Sequence, residues 1–410
     1  MRSVSTIALR VALALGAGAV FAAAPAAAQR APAQVSEFSR EERAALLALQ
    51  TALETRNYPA ATAALAAAQS QARSGQSRYL ASAMQLRLGI ETGNLGLQSS
   101  AIDAMISSGA APASELPQLY RNQAALAQQA AKYDRAEAAF ARSLELVPND
   151  PEALLALSQV KEIRKKPQEA VTLMERAIEV RKASGQPVPE SWYKRAVHLA
   201  MMNRMQPQSL RFSRELASAY PSPQNWRDAL FIYRDVAAAD PEASLDSWRL
   251  QRAAKALAGE RDYEAFAKAL LAKNLAAESK AVLDEGVAAK MVSATDAATK
   301  ELIASSAKRA VADRAGLKAK ETAAMAAATG SAALAVGDAL LAQGNYSGAA
   351  TLYRAALQKG SVDAATVNSR LGIALAMAGQ RAEAESALRA VTGPRAELAA
   401  LWLAWLGQRG

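Results

Sequence analysis

Apolar residues recur along this chain at the three- and four-residue spacing that places them on one face of a helix. In the string KYDRAEAAFARSLELVPND, Tyr133, Ala136, Phe140 and Leu144 follow this spacing and Pro148 ends the segment. Proline cannot continue a helix, because it lacks the amide hydrogen and its ring clashes with the preceding turn. The pattern therefore predicts a succession of amphipathic helices joined by short turns.

The helices recur as pairs, with a period of 34 to 35 residues. A shift of 34 superimposes two segments in the first half of the chain, and a shift of 35 superimposes two segments near its end. The matched residues are Ala136 with Ala170, Phe140 with Met174, Gly344 with Gly379, Ala349 with Ala384, and Gly337 with Gly372. Self-similarity at this period is typical of repeat architectures, in which each repeat is one supersecondary unit.

These residues resemble the tetratricopeptide repeat, a helix–turn–helix of about 34 residues. Small residues such as Gly337 and Ala349 allow the two helices to approach, and large ones such as Phe140 and Tyr353 fill the remaining space. Gly344 and Gly379 lie between the helices, where a left-handed cap favours glycine. The resemblance implies an all-α fold, a right-handed superhelical α-solenoid in which each repeat contacts only its neighbours.

The N-terminal pattern and the repeats together divide the chain. We expect a signal peptide over 1–28, a spacer over 29–38, a solenoid over 39–295 with its clearest repeats at 117–184, degenerate helices rich in lysine and alanine over 296–329, and final repeats over 330–410. The last segment carries Leu401, Trp402, Leu403, Trp405 and Leu406. We interpret it as a helix that caps the last repeat, and the alternative is a docking or dimer contact.

Composition supports helices and excludes several kinds of chemistry. About a quarter of the residues are alanine, the best helix former. The chain has no cysteine and one histidine, His198, which excludes disulfides, thiolate metal sites and the common histidine-rich metal sites. No nucleotide-binding loop or nucleophile elbow is present. We therefore predict a protein that is not an enzyme and uses no metal or cofactor, with catalysis around His198 as a remaining alternative.

The N-terminus has the pattern of a secretory signal peptide. Arg2 precedes an apolar stretch over residues 11–21, and the alanines at 26–28 fit a cleavage site after Ala28. A permanent membrane anchor is the alternative, although Arg10 interrupts the apolar run and the run is shorter than a spanning helix needs. With no cysteine to carry a lipid, we expect a periplasmic protein with no transmembrane segment once the signal is removed.

The charge balance bears on the partner. The sequence has a net charge of +10 and a pI near 9.7, and its charges do not cluster in long runs. In a bacterial envelope a basic protein meets acidic proteins, lipopolysaccharide and acidic polysaccharides rather than nucleic acid. We predict a protein or peptide partner and no nucleic acid; an anionic glycan is the alternative, for a helper in exopolysaccharide or cell-wall export.

Candidate ligand contacts come from the first helix of each repeat, which lines the concave surface in this family. We carry over only cations, amides and the histidine at such positions: Arg121, Asn122, Lys194, His198, Arg227 and Arg234. Lys194 and His198 are four residues apart and share a helical face. Arginine can bind a carboxylate through paired hydrogen bonds, so this set would hold an acidic segment. Leu155 and Gln159 interrupt the series in the intervening repeat.

Overall fold

A computed structural model describes residues 38–237 and 240–409, and these residues form α-helices joined by short turns. They fall into two compact units that divide between Val188 and Pro189. Unit 1 contains α1 (Arg40–Glu54), α2 (Tyr58–Gln71), α3 (Gly75–Glu91), α4 (Leu95–Ser107), α5 (Leu116–Gln129), α6 (Tyr133–Leu146), α7 (Pro151–Ile163) and α8 (Pro167–Ala183).

Unit 2 contains the remaining helices. They are α9 (Glu190–Met202), α10 (Gln206–Ala219), α11 (Pro223–Val236), α12 (Pro241–Ala253), α13 (Gly259–Ala272), α14 (Ala276–Ala288), α15 (Ala297–Arg314), α16 (Leu317–Ala326), α17 (Gly330–Ala342), α18 (Tyr346–Lys359), α19 (Ala364–Met377), α20 (Arg381–Arg389) and α21 (Ala396–Gly407). A short 3-10 helix, Gly393–Arg395, precedes α21.

Consecutive helices pack as antiparallel pairs. In unit 1 the pairs are α1 with α2, α3 with α4, α5 with α6, and α7 with α8. The second helix of one pair then packs on the first helix of the next, as between α4 and α5 or α6 and α7. This arrangement confirms the predicted all-α solenoid of helical repeats.

Side-chain caps explain where many helices begin. Asn57, Asn94 and Asn345 each accept a hydrogen bond from a backbone N–H in the first turn of the helix that follows. Asp150 does the same for α7, accepting from the amides of Glu152 and Ala153. A capping side chain satisfies amides that have no partner within the helix, which fixes the position of the helix start.

Most turns between paired helices contain a residue in the left-handed region. Gly344 has φ of 74° and Gly379 has φ of 79°, as the sequence predicts. Ala131, at φ 55°, and Lys165, at φ 57°, adopt the same conformation in unit 1. This conformation costs a residue with a Cβ roughly 1–2 kcal/mol. Since non-glycine residues adopt it here all the same, the repeats share the geometry of the turn rather than a glycine.

The small residues of the repeat allow close packing between the two helices of a pair. A Cβ added at Gly337 would lie 2.7 Å from Cε1 of Tyr353, and one added at Gly372 would lie 2.5 Å from Cγ of Leu388. Tyr353 and Leu388 are both buried. The predicted pairing of a small residue on the first helix with a large one on the second is confirmed in both pairs.

Unit 2 departs from a linear array. Helix α21 packs on α20, and it also contacts α10 and α12. Gln408 accepts a hydrogen bond from the indole N–H of Trp226 at 3.2 Å and donates one to the carbonyl of Ala217 at 2.9 Å. The prediction that each repeat contacts only its sequence neighbours, with no central core, is therefore wrong for unit 2. One buried cluster runs from Ala217 to Leu406.

A buried ionic network surrounds α12. Asp246, which is fully buried, lies 2.7 Å from Arg249, 3.2 Å from Arg395 and 3.6 Å from Arg370. Arg249 also makes a bidentate contact with Glu278 on α14. Burial opposes the charge on Arg249, but the nearby carboxylates of Glu278 and Asp246 outweigh burial and raise the pKa of its guanidinium. Side chains from α12, α14, α19 and the 3-10 helix thus meet at one point.

Other sequence predictions fall on particular segments. The region 296–329, predicted as degenerate helices, consists mainly of α15 and α16. The signal peptide and the spacer as far as residue 37 lie outside the described residues. Among the described helices, none has both the length and the apolar character needed to cross a bilayer.

Candidate functional site

The predicted ligand contacts divide between the two units. Arg121 and Asn122 lie on α5 of unit 1, and the other four lie on α9 and α11 of unit 2. We describe them unit by unit, since each unit presents its own first-helix surface.

In unit 1 the two candidates take part in contacts between repeats. Arg121 forms an ion pair with Asp150, the residue that caps α7, and donates to the side chain of Gln118. Asn122 is buried, and its Oδ1 accepts from Nε2 of Gln118 at 2.8 Å. Its Nδ2 has no acceptor among the described residues. Arg121 therefore joins α5 to the start of the next repeat.

On α9 the two candidates are exposed to solvent. Nζ of Lys194 lies 2.9 Å from Oε1 of Glu190, one turn earlier on the same helix. Hydrogen bonds from Lys194 and Asn225 hold the pKa of the Glu190 carboxyl below its usual range. His198 lies one turn after Lys194 and is exposed. Both side chains are accessible to a partner.

On α11 the two candidates are used inside unit 2. Arg227 donates to both carboxylate oxygens of Asp262, at 2.9 and 3.3 Å. The guanidinium of Arg234 lies 3.7 Å from the ring centroid of Trp248 and donates to Gln251 at 2.8 Å. Burial lowers the pKa of Arg234 to about 10. These arginines connect α11 to α12 and α13.

Exposed apolar residues, which the sequence analysis did not single out, lie beside Lys194 and His198. Met201 and Met202 end α9, and Phe231 lies on α11; Met202 is 70% exposed and Phe231 is 61% exposed. Met201 and Phe231 line a cleft of about 240 Å³, with Arg204, Ile232 and Val236 also among its walls. We call this region, with Lys194 and His198 at its side, the α9–α11 surface.

The α9–α11 surface has mixed chemistry. Arg204, in the turn after α9, and Asp235, on α11, line the cleft, and neither has an ion-pair partner among the described residues. Gln206 and Ser209 supply further polar groups. Exposed large apolar side chains gathered around a cleft are typical of protein-binding surfaces, and methionine adapts readily to different partners.

A signal for these residues is present in the sequence. The string HLAMMNRM places Met201 and Met202 one turn after His198, on the same first helix as Lys194. Only a comparison of exposure shows that these methionines face solvent while Trp192 and Leu199 of the same helix are buried.

No metal site emerges from the described part of the chain. Within residues 38–237 and 240–409, no three histidine or carboxylate side chains are grouped so as to hold a metal ion.

Comparison with known families and structures bears on the repeats. The profile of the tetratricopeptide repeat family matches residues 121–187, 305–364 and 334–400. These matches include the two regions in which the sequence analysis finds its clearest 34- to 35-residue periods. A comparison with curated protein sequences finds no significant match.

Solved structures of similar fold are distant in sequence. PilW, described as a widely conserved type IV pilus biogenesis factor, is 14% identical, with a TM-score of 0.31 over 44% of this chain and 78% of its own. PilF of Pseudomonas aeruginosa is 15% identical, with a TM-score of 0.31 over 55% and 96%. A tetratricopeptide repeat protein of Parabacteroides merdae is 13% identical, with a TM-score of 0.34 over 82% and 100%.

Proposed function

Residues 121–187, 305–364 and 334–400 of this chain are tetratricopeptide repeats, and from that premise we propose that it is a non-catalytic scaffold of the bacterial envelope. We propose further that it binds an acidic segment of a partner protein on the α9–α11 surface. The tetratricopeptide repeat is in general a non-catalytic fold that binds protein partners.

The observation that carries the proposal is the exposure of Met201 and Phe231, which line one cleft between α9 and α11. Burying a large apolar side chain contributes about 1.5–3 kcal/mol, so an apolar residue of the partner that enters this cleft would anchor it. An extended glycan offers little apolar surface to these side chains. This is why we favour a protein partner over an anionic polysaccharide.

Charge supports an acidic partner. Arg204 lines the cleft with Met201 and Phe231, Lys194 is exposed on the same helix as Met201, and the whole sequence carries a net charge of +10. Exposed cations of this kind contribute mainly to the rate of association and to specificity, and salt screens them. The envelope location rests on the N-terminal sequence pattern alone.

A selection of short random peptides displayed on phage against the full chain tests the binding proposal. We expect enriched peptides to carry one large apolar residue flanked by aspartate or glutamate, and the affinity of a synthetic peptide to fall with added salt. The double variant Met201→Ala, Phe231→Ala should weaken this peptide at least about tenfold, as expected for anchor residues.

The matched control is the double variant Val311→Ala, Met325→Ala. These residues are also large, apolar and exposed, but they lie on α15 and α16. Equal loss of affinity in both double variants would overturn the assignment of the site, and binding of alginate without any peptide binding would favour the glycan alternative. Cell fractionation with N-terminal sequencing of the product tests the location and the cleavage after Ala28.

A further inference from the structure

A second cavity lies within unit 2, away from the α9–α11 surface. It has a volume of about 400 Å³ and is enclosed by residues of α12, α14, α17, α19 and α21, with the ends of further helices at its edge. Its volume is in the range of sites for small molecules, which is about 300–1,000 Å³.

Two buried hydrogen-bond donors of the cavity walls have no acceptor. Trp402 is completely buried, and its indole N–H has no partner among the described residues. Nε2 of Gln343 is likewise buried and without a partner there. Both residues line the cavity. A buried donor without an acceptor is unfavourable, so a ligand that brings acceptor oxygens to these donors would remove this cost.

The charges around the cavity leave an excess of two positive groups. Arg249 is paired with Glu278 and Arg252 with Glu285, at 2.7 Å in each case. Lys255 and Arg314 also line the cavity. They are exposed, and neither has a carboxylate partner in the described part of the chain.

The remaining walls are apolar. Leu341, Ile373 and Met377 are among the lining residues, together with several alanines. A ligand therefore meets unpaired donors and cations on one side and hydrocarbon on the other. A polar ion such as free phosphate would leave the apolar walls without contacts.

We infer that this cavity binds a small organic carboxylate with an apolar body. The carboxylate accepts hydrogen bonds from unpaired donors of the wall and neutralises the cations at the edge, and the apolar body contacts Leu341, Ile373 and Met377. The site would give the scaffold a small-molecule ligand in addition to its protein partner.

Isothermal titration calorimetry on the full chain tests the inference, with octanoate and 3-phenylpropanoate as probes and octanamide as the uncharged probe. We expect saturable binding of at least one carboxylate and at least tenfold weaker binding of octanamide. Absence of saturable binding of both carboxylates at millimolar concentration, or equal binding of octanamide, would overturn the inference.

Charge variants assign the binding to this cavity. Lys255→Gln, Arg314→Gln should weaken the carboxylate at least tenfold, since both cations are removed. The matched control is Lys308→Gln, Lys320→Gln, which removes two exposed lysines of α15 and α16 that do not line the cavity. Equal affinity of the two double variants would contradict the site.

One further variant separates binding from folding, and another separates the two proposals. Ala281→Phe places a ring at an exposed position of the cavity wall and should abolish carboxylate binding while thermal unfolding stays close to that of the unchanged chain. Unchanged affinity in this variant would overturn the site. The variant Met201→Ala, Phe231→Ala should bind the carboxylate normally, so that the two proposals fail or succeed separately.

Discussion

At the scale of single residues, Glu42 joins three segments of unit 1. Its Oε2 accepts from the backbone N–H of Ser39, and its Oε1 accepts from the N–H of Arg73 and the hydroxyl of Ser77, all within 2.8 Å. Because these groups stabilise the ionised form, the pKa of the Glu42 carboxyl falls from its ordinary value of 4.5 to about 2. The start of α1 is thereby fixed to the start of α3.

The variant Glu42→Gln should lower the free energy of unfolding at neutral pH by about 2 kcal/mol, because an amide cannot accept from all these donors. The pKa is lower in the folded chain, so Glu42 contributes this stability above pH about 4.5 and loses it as the pH falls toward about 2. Urea unfolding at several pH values measures the effect.

The control for this variant is Glu41→Gln, which changes an exposed neighbour in the same turn. The free energy of unfolding of Glu42→Gln is compared with that of the unchanged chain at each pH. If the difference stays constant from pH 7 to about pH 2, the role given to the carboxylate is contradicted.

At the scale of helix pairs, stability depends on the contact between a small residue and a large one. Tyr353 is fully buried against Gly337, and its hydroxyl donates to Asp338 at 2.8 Å. This hydrogen bond and the surrounding side chains limit how far the ring can shift. The close approach of α17 and α18 therefore requires the absence of a Cβ at residue 337.

We expect Gly337→Ala to destabilise unit 2 by about 1–2 kcal/mol, since overpacking against Tyr353 outweighs the gain in helix propensity. Gly407→Ala is the matched control, because a Cβ there meets no atom within 4 Å. Thermal unfolding of both variants gives the comparison. A Gly337→Ala protein as stable as the control would show that Tyr353 moves without cost.

At the scale of the whole molecule, the ionic network around Asp246 decides how unit 2 is held together. Arg370 and Arg395 reach Asp246 from parts of the chain more than 120 residues away. Removing one partner of a buried ion pair commonly costs about 3–5 kcal/mol, because the remaining charges stay buried without compensation.

The variant Asp246→Asn should therefore raise amide hydrogen exchange in α12, α19 and α21 of the full chain, while exchange in unit 1 stays as in the unchanged protein. Asp284→Asn, which removes an exposed pair with Lys280 on α14, is the control and should have little effect. Unaltered exchange in α21 after Asp246→Asn would refute the role of the network in joining the ends of unit 2.

Sequence reasoning succeeded where a property is local. The period of 34 to 35 residues, the positions of Gly337 and Gly372, and the left-handed turns at Gly344 and Gly379 are confirmed, because each depends on contacts within one helix pair. It was less informative for the candidate site. By its position on the helix and its charge, Arg227 cannot be told from an arginine that is free to bind a ligand. In the structure it pairs with Asp262, 35 residues later.

The sequence by itself determined the helices, their pairing and the repeat, since helical periodicity and the small–large pairing are encoded within stretches of about 35 residues. The tertiary structure alone decided that α21 returns to α10 and α12, that Asp246 gathers three arginines, and that Met202 and Phe231 stay exposed. These features depend on which distant surfaces meet. In the sequence pattern, an apolar or charged residue looks the same whether it ends in a buried contact or on an exposed surface.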